Sequence, residues 1–500
     1  MNIDFDPYVI LGVSPDASFD EIKEAHRRAV RRLHSDTNPH KGAIAQLQDI
    51  NVAYKLLSEP DRREQYNQRS KRKKPREFEF LLRVTPSKRT IAPLSEPQVV
   101  YMLVEIIPDP RAREQEDKLQ KQSRLNLTLV LDRSNSMNGV RLERVKVAAH
   151  QIIDQLNQDD VFSVVTFNDY PEVLIPATSV HDKAALKAHI SMMAAGGGTE
   201  IYKGLAAGVE QNRQYLAPKL VNHIILLTDG NTYGDQERCV ALAKKASTEG
   251  IIISAMGLGS DWNDKFLDEV ASVSGGACEY IKSPGSVVRF LNDHVRSLVN
   301  VFVERLQLSV APDADVRLET AFKLAPNSQP LSVDEAAIPL GNLQVNRLTS
   351  VLLQFELPAN MPESFRTVAR IMARGDILAN EDPRYQALSD FSIGVSKDAE
   401  PEETPPPLLD ALGKLTLYRL QERAQEALEN GDIQEATRRL ENLATRLLER
   451  GEEELAMQAR TEAQQVAYTS ALSDKGRKAL KFQTRSLLLA SGGSPEEQYG

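Results

Sequence analysis

Residues 125–136, Leu125-Asn-Leu-Thr-Leu-Val-Leu-Asp132-Arg133-Ser134-Asn135-Ser136, decide the fold. A near-continuous apolar run ends directly in an acid and two hydroxyls. Gly139 and an amphipathic stretch follow, so the segment reads as a buried strand turning into a helix. Three more apolar runs, Val161-Phe-Ser-Val-Val-Thr-Phe, Ile224-Ile-Leu-Leu and Ile251-Ile-Ile-Ser-Ala-Met, alternate with helix-like stretches at 141–156, 182–193, 202–216, 235–248 and 263–274. Strands alternating with helices predict an α/β domain with a doubly wound, mostly parallel sheet over 125–295. Such sheets bind ligands at the carboxyl ends of their strands.

Oxygen-bearing side chains gather at those ends. Besides Asp132, Ser134 and Ser136, Thr199 lies in Gly196-Gly-Gly-Thr-Glu before the helix at 202, and Asp229 follows the strand at 224. Two carboxylates and three hydroxyls without Cys or His form a hard donor set. It suits Mg²⁺, or another hard cation such as Mn or Ca, which keeps some of its waters. So few formal charges leave an ion Lewis-acidic, with a position open to a carboxylate from another protein. A lone Asp-x-Ser-x-Ser commonly only caps a helix. Three elements in this order resemble a von Willebrand factor type A domain, Rossmann-like in fold, with a complete metal-ion-dependent adhesion site. The resemblance implies Ser134, Ser136 and Thr199 as hydroxyl ligands, with Asp132 and Asp229 holding the ion directly or through water.

Residues 1–68 read as helices. Ser18 and Glu21 form a capping box for a helix with Ile22, Ala29, Val30 and Leu33 on one side and Lys23, Arg27, Arg28, Arg31 and Arg32 on the other. A second helix carries Ile44, Leu47, Ile50, Tyr54 and Leu57, and the loop His34-Ser-Asp-Thr-Asn-Pro39 separates the two. With Asp6-Pro-Tyr-Val-Ile-Leu-Gly-Val before and Pro60-Asp-Arg-Arg-Glu-Gln-Tyr after, the arrangement resembles an all-α DnaJ-type J-domain. The resemblance implies that His34, Asp36 and the basic face of Lys23, Arg27, Arg28 and Arg31 meet a DnaK-type chaperone. Ser35 stands where the family carries proline, which makes the loop a degenerate one. Proline fixes φ, so its replacement predicts a looser loop.

Residues 69–76 hold six cations in eight positions and read as a basic linker. Period-two stretches flank the α/β domain, at 77–122 and 298–398. Neither flank has enough strands alone, so one discontinuous β-sandwich interrupted by the type A domain is expected. After Glu400-Pro-Glu-Glu-Thr-Pro-Pro-Pro the pattern turns helical over 408–487. Asn430-Gly431 and Gly451 punctuate a hairpin similar to one tetratricopeptide unit, suited to covering a sandwich face or binding a peptide, and a third helix is expected from Glu452 towards Ser470. Residues 491–500 are expected to be disordered.

Other patterns yield to plainer readings. Lys203 follows three glycines without phosphate-loop order. Arg374-Gly-Asp376 is a chance tripeptide, Asn126 sits on a buried strand, and His223 is expected as a hydrogen-bonded edge residue. A net charge of -9 excludes nucleic acid as the main partner. Cys239 and Cys278, 39 positions apart, fit two buried reduced thiols rather than a zinc site. The acidic amino terminus is unlike a signal peptide, and the longest apolar run is far short of a membrane span. A cytoplasmic chain that does not engage membranes is expected.

Two functions compete at this point. One is a non-enzymatic, co-chaperone-like adaptor that captures a partner's acidic residue through the metal and recruits a DnaK-type chaperone. The other is a scaffold for a partner AAA+ ATPase, the J-like domain serving only for docking. No nucleophile with an adjacent base supports a hydrolase.

Overall fold

The computed structural model describes residues 5–72, 76–115, 124–217, 219–232 and 234–490. In chain order, helices α1 (Pro7–Leu11), α2 (Phe19–Leu33), α3 (Lys41–Leu57) and α4 (Pro60–Arg72) come first. Strands β1 (Phe80–Pro86), β2 (Thr90–Ile91) and β3 (Gln98–Pro108) and the short helix α5 (Pro110–Glu114) follow. The α/β domain runs β4 (Arg124–Asp132), α6 (Val140–Gln155), β5 (Val161–Phe167), β6 (Pro171–Ser179), α7 (Lys183–Ser191) and α8 (Ile201–Arg213). It continues with β7 (Leu220–Thr228), α9 (Gln236–Thr248), β8 (Ile252–Leu258), α10 (Asp264–Ser272), β9 (Cys278–Ile281) and α11 (Val287–Val299). Then come β10 (Val301–Pro312), β11 (Arg317–Ala325), β12 (Gln329–Leu331), β13 (Ile338–Gln344), β14 (Thr349–Leu357), β15 (Ser364–Ile377) and β16 (Arg384–Val395). Helices α12 (Pro406–Glu429), α13 (Ile433–Glu449), α14 (Glu453–Thr469) and α15 (Asp474–Ala490) end the described chain.

These elements form two compact units. The first joins the amino-terminal helices to two five-stranded sheets, ordered β1-β3-β14-β11-β12 and β13-β10-β15-β16-β2. Both sheets take strands from both flanks of the α/β domain. Val104 of β3 pairs with Val351 of β14, and Ile91 of β2 pairs in parallel with Val395 of β16. Phe80 packs edge-on against Tyr385 across the two sheets, ring centroids 4.7 Å apart. A strand with one apolar face must bury it against another layer, and each flank completes the other's layers.

The helices of this unit sit on its second sheet. The capping box forms as expected, Glu21 N donating to Ser18 Oγ and Ser18 N to Glu21 Oε2. The buried face of α3 includes the expected Ile50 and Leu57, with Leu47 and Tyr54 packed against the same cluster, and is wider than expected. Gly42, Ala43, Gln46, Ile50, Ala53 and Leu57 are buried, whereas Ile44, Leu47 and Tyr54 are only partly covered. The reason is a second neighbour: a Cβ at Gly42 would lie 2.0 Å from the Val310 carbonyl oxygen, so glycine lets the helix backbone touch β10. Ala311 of the sheet belongs to the apolar cluster of the helices. Arg374 pairs with Asp49 and Asp376 with Arg305, so the Arg-Gly-Asp tripeptide is a structural part of β15. Helix α4 continues through Arg72, which moves the start of the basic run from linker into helix; residues 73–75 lie outside the described set.

The second unit holds the α/β domain, its sheet ordered β6-β5-β4-β7-β8-β9. All neighbours are parallel except β5 and β6. Strands β6 and β9 and helix α11 escape the apolar-run reading, because β6 is largely exposed and β9 is only four residues long. His223 lies on the central strand β7, not at an edge, and is buried; its Nε2 lies 3.1 Å from both Ser254 Oγ and His294 Nε2. Burial, and then His294, hold its pKa well below the ordinary histidine value. Cys239 is buried, but Cys278 is only partly so, and both are free thiols. The carboxyl-terminal region is four helices, one more than the hairpin and third helix expected, and α15 packs on the α/β domain, where Trp262, Tyr280 and Phe482 meet at 5.7–6.1 Å. Residues 491–500, expected to be disordered, lie outside the described residues. Among the described residues no helix is long and apolar enough to cross a membrane.

Candidate functional site

The carboxyl ends of β4 and β7 lie side by side because the two strands pair in register, Leu131 beside Leu227. Asp132 therefore leaves the sheet next to Thr228 and Asp229. Asp132 is fully buried and its carboxylate is held from both sides: Oδ1 accepts the Ser134 amide at 2.8 Å and Oδ2 accepts the Thr228 hydroxyl at 2.5 Å. Burial raises its pKa, the bonds from Thr228 and Ser134 oppose this, and the nearby Asp229 charge adds to the rise.

A chain of oxygens leads outward from there. Ser134 Oγ lies 3.0 Å from Ser136 Oγ, and Ser136 Oγ donates to Asp229 Oδ1 at 2.6 Å. The third segment is tied to the first through backbone bonds, Asn135 N to the Gly197 carbonyl at 3.1 Å and Gly196 N to that of Arg133 at 2.8 Å. A Cβ on Gly230 would sit 3.3 Å from Thr199 Oγ1, which puts that hydroxyl beside the loop after Asp229. The structure thus brings Asp132, Ser134, Ser136, Thr199 and Asp229 together. Asp132, Ser134 and Asp229 form a buried floor, and exposed Ser136 and half-buried Thr199 form the rim.

Arg141 is a member that the sequence reading missed. Its guanidinium reaches back from the first turn of α6 to Asp229 Oδ2, and Nη1 also donates to the Ser136 carbonyl at 3.3 Å. Its place two residues after Gly139 puts it in the first turn of the helix, but that spacing does not show which way the side chain turns. A cation already sits on one of the two carboxylates, as expected where paired acids share a buried place. No group of three or more His, Cys, Asp or Glu that could hold a metal occurs among the described residues. A site here would be built from two acids and hydroxyls, and its hard-oxygen chemistry fits Mg²⁺.

On α2, Arg27, Arg28 and Arg31 are exposed, and Lys23 is half-buried with its ammonium 6.0 Å from the Phe19 ring centroid. Arg32 is not part of that open face: its Nε lies 3.5 Å from Asp313 beyond the end of β10. His34 and Asp36 are exposed, their Nδ1 and carboxylate 3.6 Å apart.

Comparison with known proteins matches three stretches of the chain. Residues 6–67 match the DnaJ domain, 126–291 the von Willebrand factor type A domain, and 406–490 the Sll0103-like, C-terminal alpha-helical domain. Uncharacterized protein sll0103 of Synechocystis sp. is 31% identical over 331 residues, 64% of this chain and 78% of that protein. The chain belongs to the Sll0103-like family. The likeness to DnaJ is local: chaperone protein DnaJ of Gloeothece citriformis is 52% identical over 62 residues, 12% of this chain and 16% of that protein. Among solved structures, von Willebrand factor type A from Catenulispora acidiphila is 17% identical with a TM-score of 0.66, covering 82% of this chain and 96% of that one. At that identity the likeness concerns the fold. This family member is multidomain, with a helical DnaJ domain, a Rossmann-like type A domain, sheets and a carboxyl-terminal helical region. Carrying DnaJ and type A domains on one chain makes it a co-chaperone-like protein-interaction adaptor.

Proposed function

We propose that the adaptor is non-enzymatic and captures a partner protein through a carboxylate at a Mg²⁺-dependent adhesion site, while its DnaJ domain recruits a DnaK-type chaperone. The observation that carries this reading is the convergence of five oxygen-bearing side chains from three segments on one strand end, floored by buried Asp132 and Asp229. Asp132, Ser134, Ser136, Thr199 and Asp229 would hold the ion, which supplies Lewis acidity toward an incoming carboxylate. The residues' own contribution is orientation. The Thr228 hydroxyl and the Ser134 amide fix the Asp132 carboxylate, and Arg141 fixes that of Asp229. Preset oxygens lose little freedom on binding, which favours affinity at no extra contact. Exposed Arg27, Arg28 and Arg31 suit an acidic chaperone surface and raise encounter rates at low salt.

Two measurements test the reading. Calorimetric titration with Mg²⁺ should give one site in the wild type and none in Asp132→Ala, with circular dichroism checking that the variant is folded. Equal binding by both would remove the metal from the account. The full chain should also stimulate the ATPase of a DnaK-type chaperone; absence of stimulation, unrelieved by Ser35→Pro, would leave the domain as a docking module, the arrangement expected of a scaffold for an AAA+ partner.

A further inference from the structure

The loop between α2 and α3 holds one shape without an internal lock. His34 lies at φ -65° and ψ 135°, the extended region that a following proline would impose, yet Ser35 follows it. Local bonds close the loop: the amides of Thr37 and Asn38 donate to the His34 carbonyl at 3.0 and 2.8 Å. The Thr37 hydroxyl donates to the same carbonyl at 3.1 Å, and the Asp36 amide to His34 Nδ1 at 3.3 Å. Apart from Asn38, the residues making these bonds are exposed, so water competes for their bonds.

Asn38 is different. Only 2% exposed, it donates from Nδ2 to the Arg32 carbonyl at 3.1 Å and to the Pro312 carbonyl, at the end of β10, at 2.9 Å. Its Oδ1 accepts the His40 amide at 3.3 Å. One carboxamide therefore joins the last turn of α2, the approach to α3 and the sheet. The neighbouring Arg32–Asp313 pair and the close approach of Gly42 to Val310 keep the same seam shut.

We propose that Asn38 is a positioning residue that holds the His34–Asp36 loop in its chaperone-facing shape by anchoring it to the Pro312 carbonyl, so that the sheet supplies the rigidity a proline at position 35 would otherwise supply. The proposal rests on the chaperone-recruiting reading of the DnaJ domain. It makes the loop competent only while docked. Anything that shifts the end of β10 would then alter presentation of His34 and Asp36 without touching either.

The test uses the full chain as wild type, Asn38→Ala, Ser35→Pro and the double variant. Two measurements are made on each: single-turnover ATPase stimulation of a DnaK-type chaperone, and amide hydrogen exchange over residues 34–38. Asn38→Ala should cut stimulation roughly fivefold and speed exchange at Thr37 and Asn38, because buried carbonyls lose their donor. Adding Ser35→Pro should restore stimulation by a factor of roughly two to five, the freedom a compatible proline removes. Rescue by proline separates positioning from mere docking, since proline makes no contact to Pro312. Wild-type stimulation by Asn38→Ala, or a double variant no better than Asn38→Ala, overturns the proposal. Should the wild type itself not stimulate, the chaperone reading falls, and the exchange data still judge the clamp: unchanged exchange in Asn38→Ala overturns it.

Discussion

The protein holds helices against a sheet-bearing partner in two places, by opposite chemistry. In the first unit, the DnaJ helices meet β10 and β15 through polar groups on backbone carbonyls and through two partly exposed ion pairs, Arg374–Asp49 and Arg32–Asp313. Asn38 donates to Pro312, Gln46 to Ser309, and Gly42 admits the Val310 carbonyl. Arg370 also reaches the Ile10 carbonyl at 2.6 Å. In the second unit, α15 meets α10 through charges. Arg477 and Lys481 pair with Asp264, Lys481 and Arg485 with Asp268, and Lys478 donates to the Trp262 carbonyl at 2.5 Å. Carbonyl acceptors do not titrate, and the two ion pairs of the DnaJ seam are partly exposed, whereas the α15 seam rests on the more deeply buried carboxylates of Asp264 and Asp268. The two seams should therefore part company with pH and with loss of one partner.

The largest effect is expected at Asp268, whose side chain is 12% exposed and accepts both Arg485 Nη1 and Nη2 at 2.7 Å. Asp268→Asn leaves Arg485 buried without its counter-charge and Lys481 with Asp264 alone, a loss of about 3–5 kcal/mol. Denaturant unfolding should report it, with hydrogen exchange rising in α15 and unchanged in α3. Burial pushes the carboxyls of Asp264 and Asp268 up, but Lys481, Arg477 and Arg485 more than offset this, and both lie below the usual aspartate value. A depressed folded pKa gives stability that is present above the unfolded value of about 4 and lost as pH falls through the folded value. Acid should accordingly open α15 before it opens the DnaJ seam; simultaneous opening would erase the distinction.

Lys323 sharpens the comparison, because it is a buried charge-bearing group bound to a neutral acceptor. Fully buried on β11, it donates to the Leu340 carbonyl at 3.2 Å, and burial lowers its pKa to about 7 from 10.5. The folded state then binds its proton more weakly than the unfolded state. The stability penalty is absent above about pH 10.5, grows as pH falls toward 7, and is constant below that. Lys323→Met should stabilise the unit by roughly 2–4 kcal/mol below pH 7, with the gain fading toward pH 10. A gain independent of pH would show that the amine is not the cause.

The two seams also differ in what the sequence discloses. The candidate-site residues Asp132, Ser134, Ser136 and Asp229 were legible because they follow apolar runs that stop at one end of the sheet, while Thr199 was marked by the glycine-rich loop before a helix. The capping box at Ser18 and Glu21 was legible for the same local reason. The charged seam left a readable trace: Asp264 and Asp268 stand four apart, as do Arg477, Lys481 and Arg485, so two complementary ladders exist on helix faces. Finding which ladder meets which requires the tertiary fold. The DnaJ seam left almost none, since its acceptors are mostly backbone carbonyls, which every residue offers, and its ion pairs join single residues far apart in the chain; Gly42 and Gln46 on an otherwise apolar helix face are its local marks. Arg141 was missed because its role depends on a side chain folding back across a loop, which spacing alone does not show.

Gln46 gives the smallest expected effect and the finest probe of the carbonyl seam. Its Nε2 lies 3.1 Å from Ser309 Oγ and 3.3 Å from the Ser309 carbonyl, with the Arg370 carbonyl at 3.4 Å, while its Oε1 is buried without a hydrogen-bond partner. The side chain therefore loses about as much in the unmet oxygen as it gains from the amide. Gln46→Ala should cost about 1 kcal/mol, mostly from the space left behind. Gln46→Met, which keeps the volume and removes both polar ends, should fall close to wild type, because deleting a half-satisfied pair is nearly neutral in a packed interface. Equilibrium unfolding of the two variants at pH 7 distinguishes them. If Gln46→Met were instead as costly as Gln46→Ala, the amide bond to Ser309 would be carrying the seam, and volume would not. The neutral seam would then depend on directed bonds much as the charged one does, narrowing the contrast between them to its response to pH.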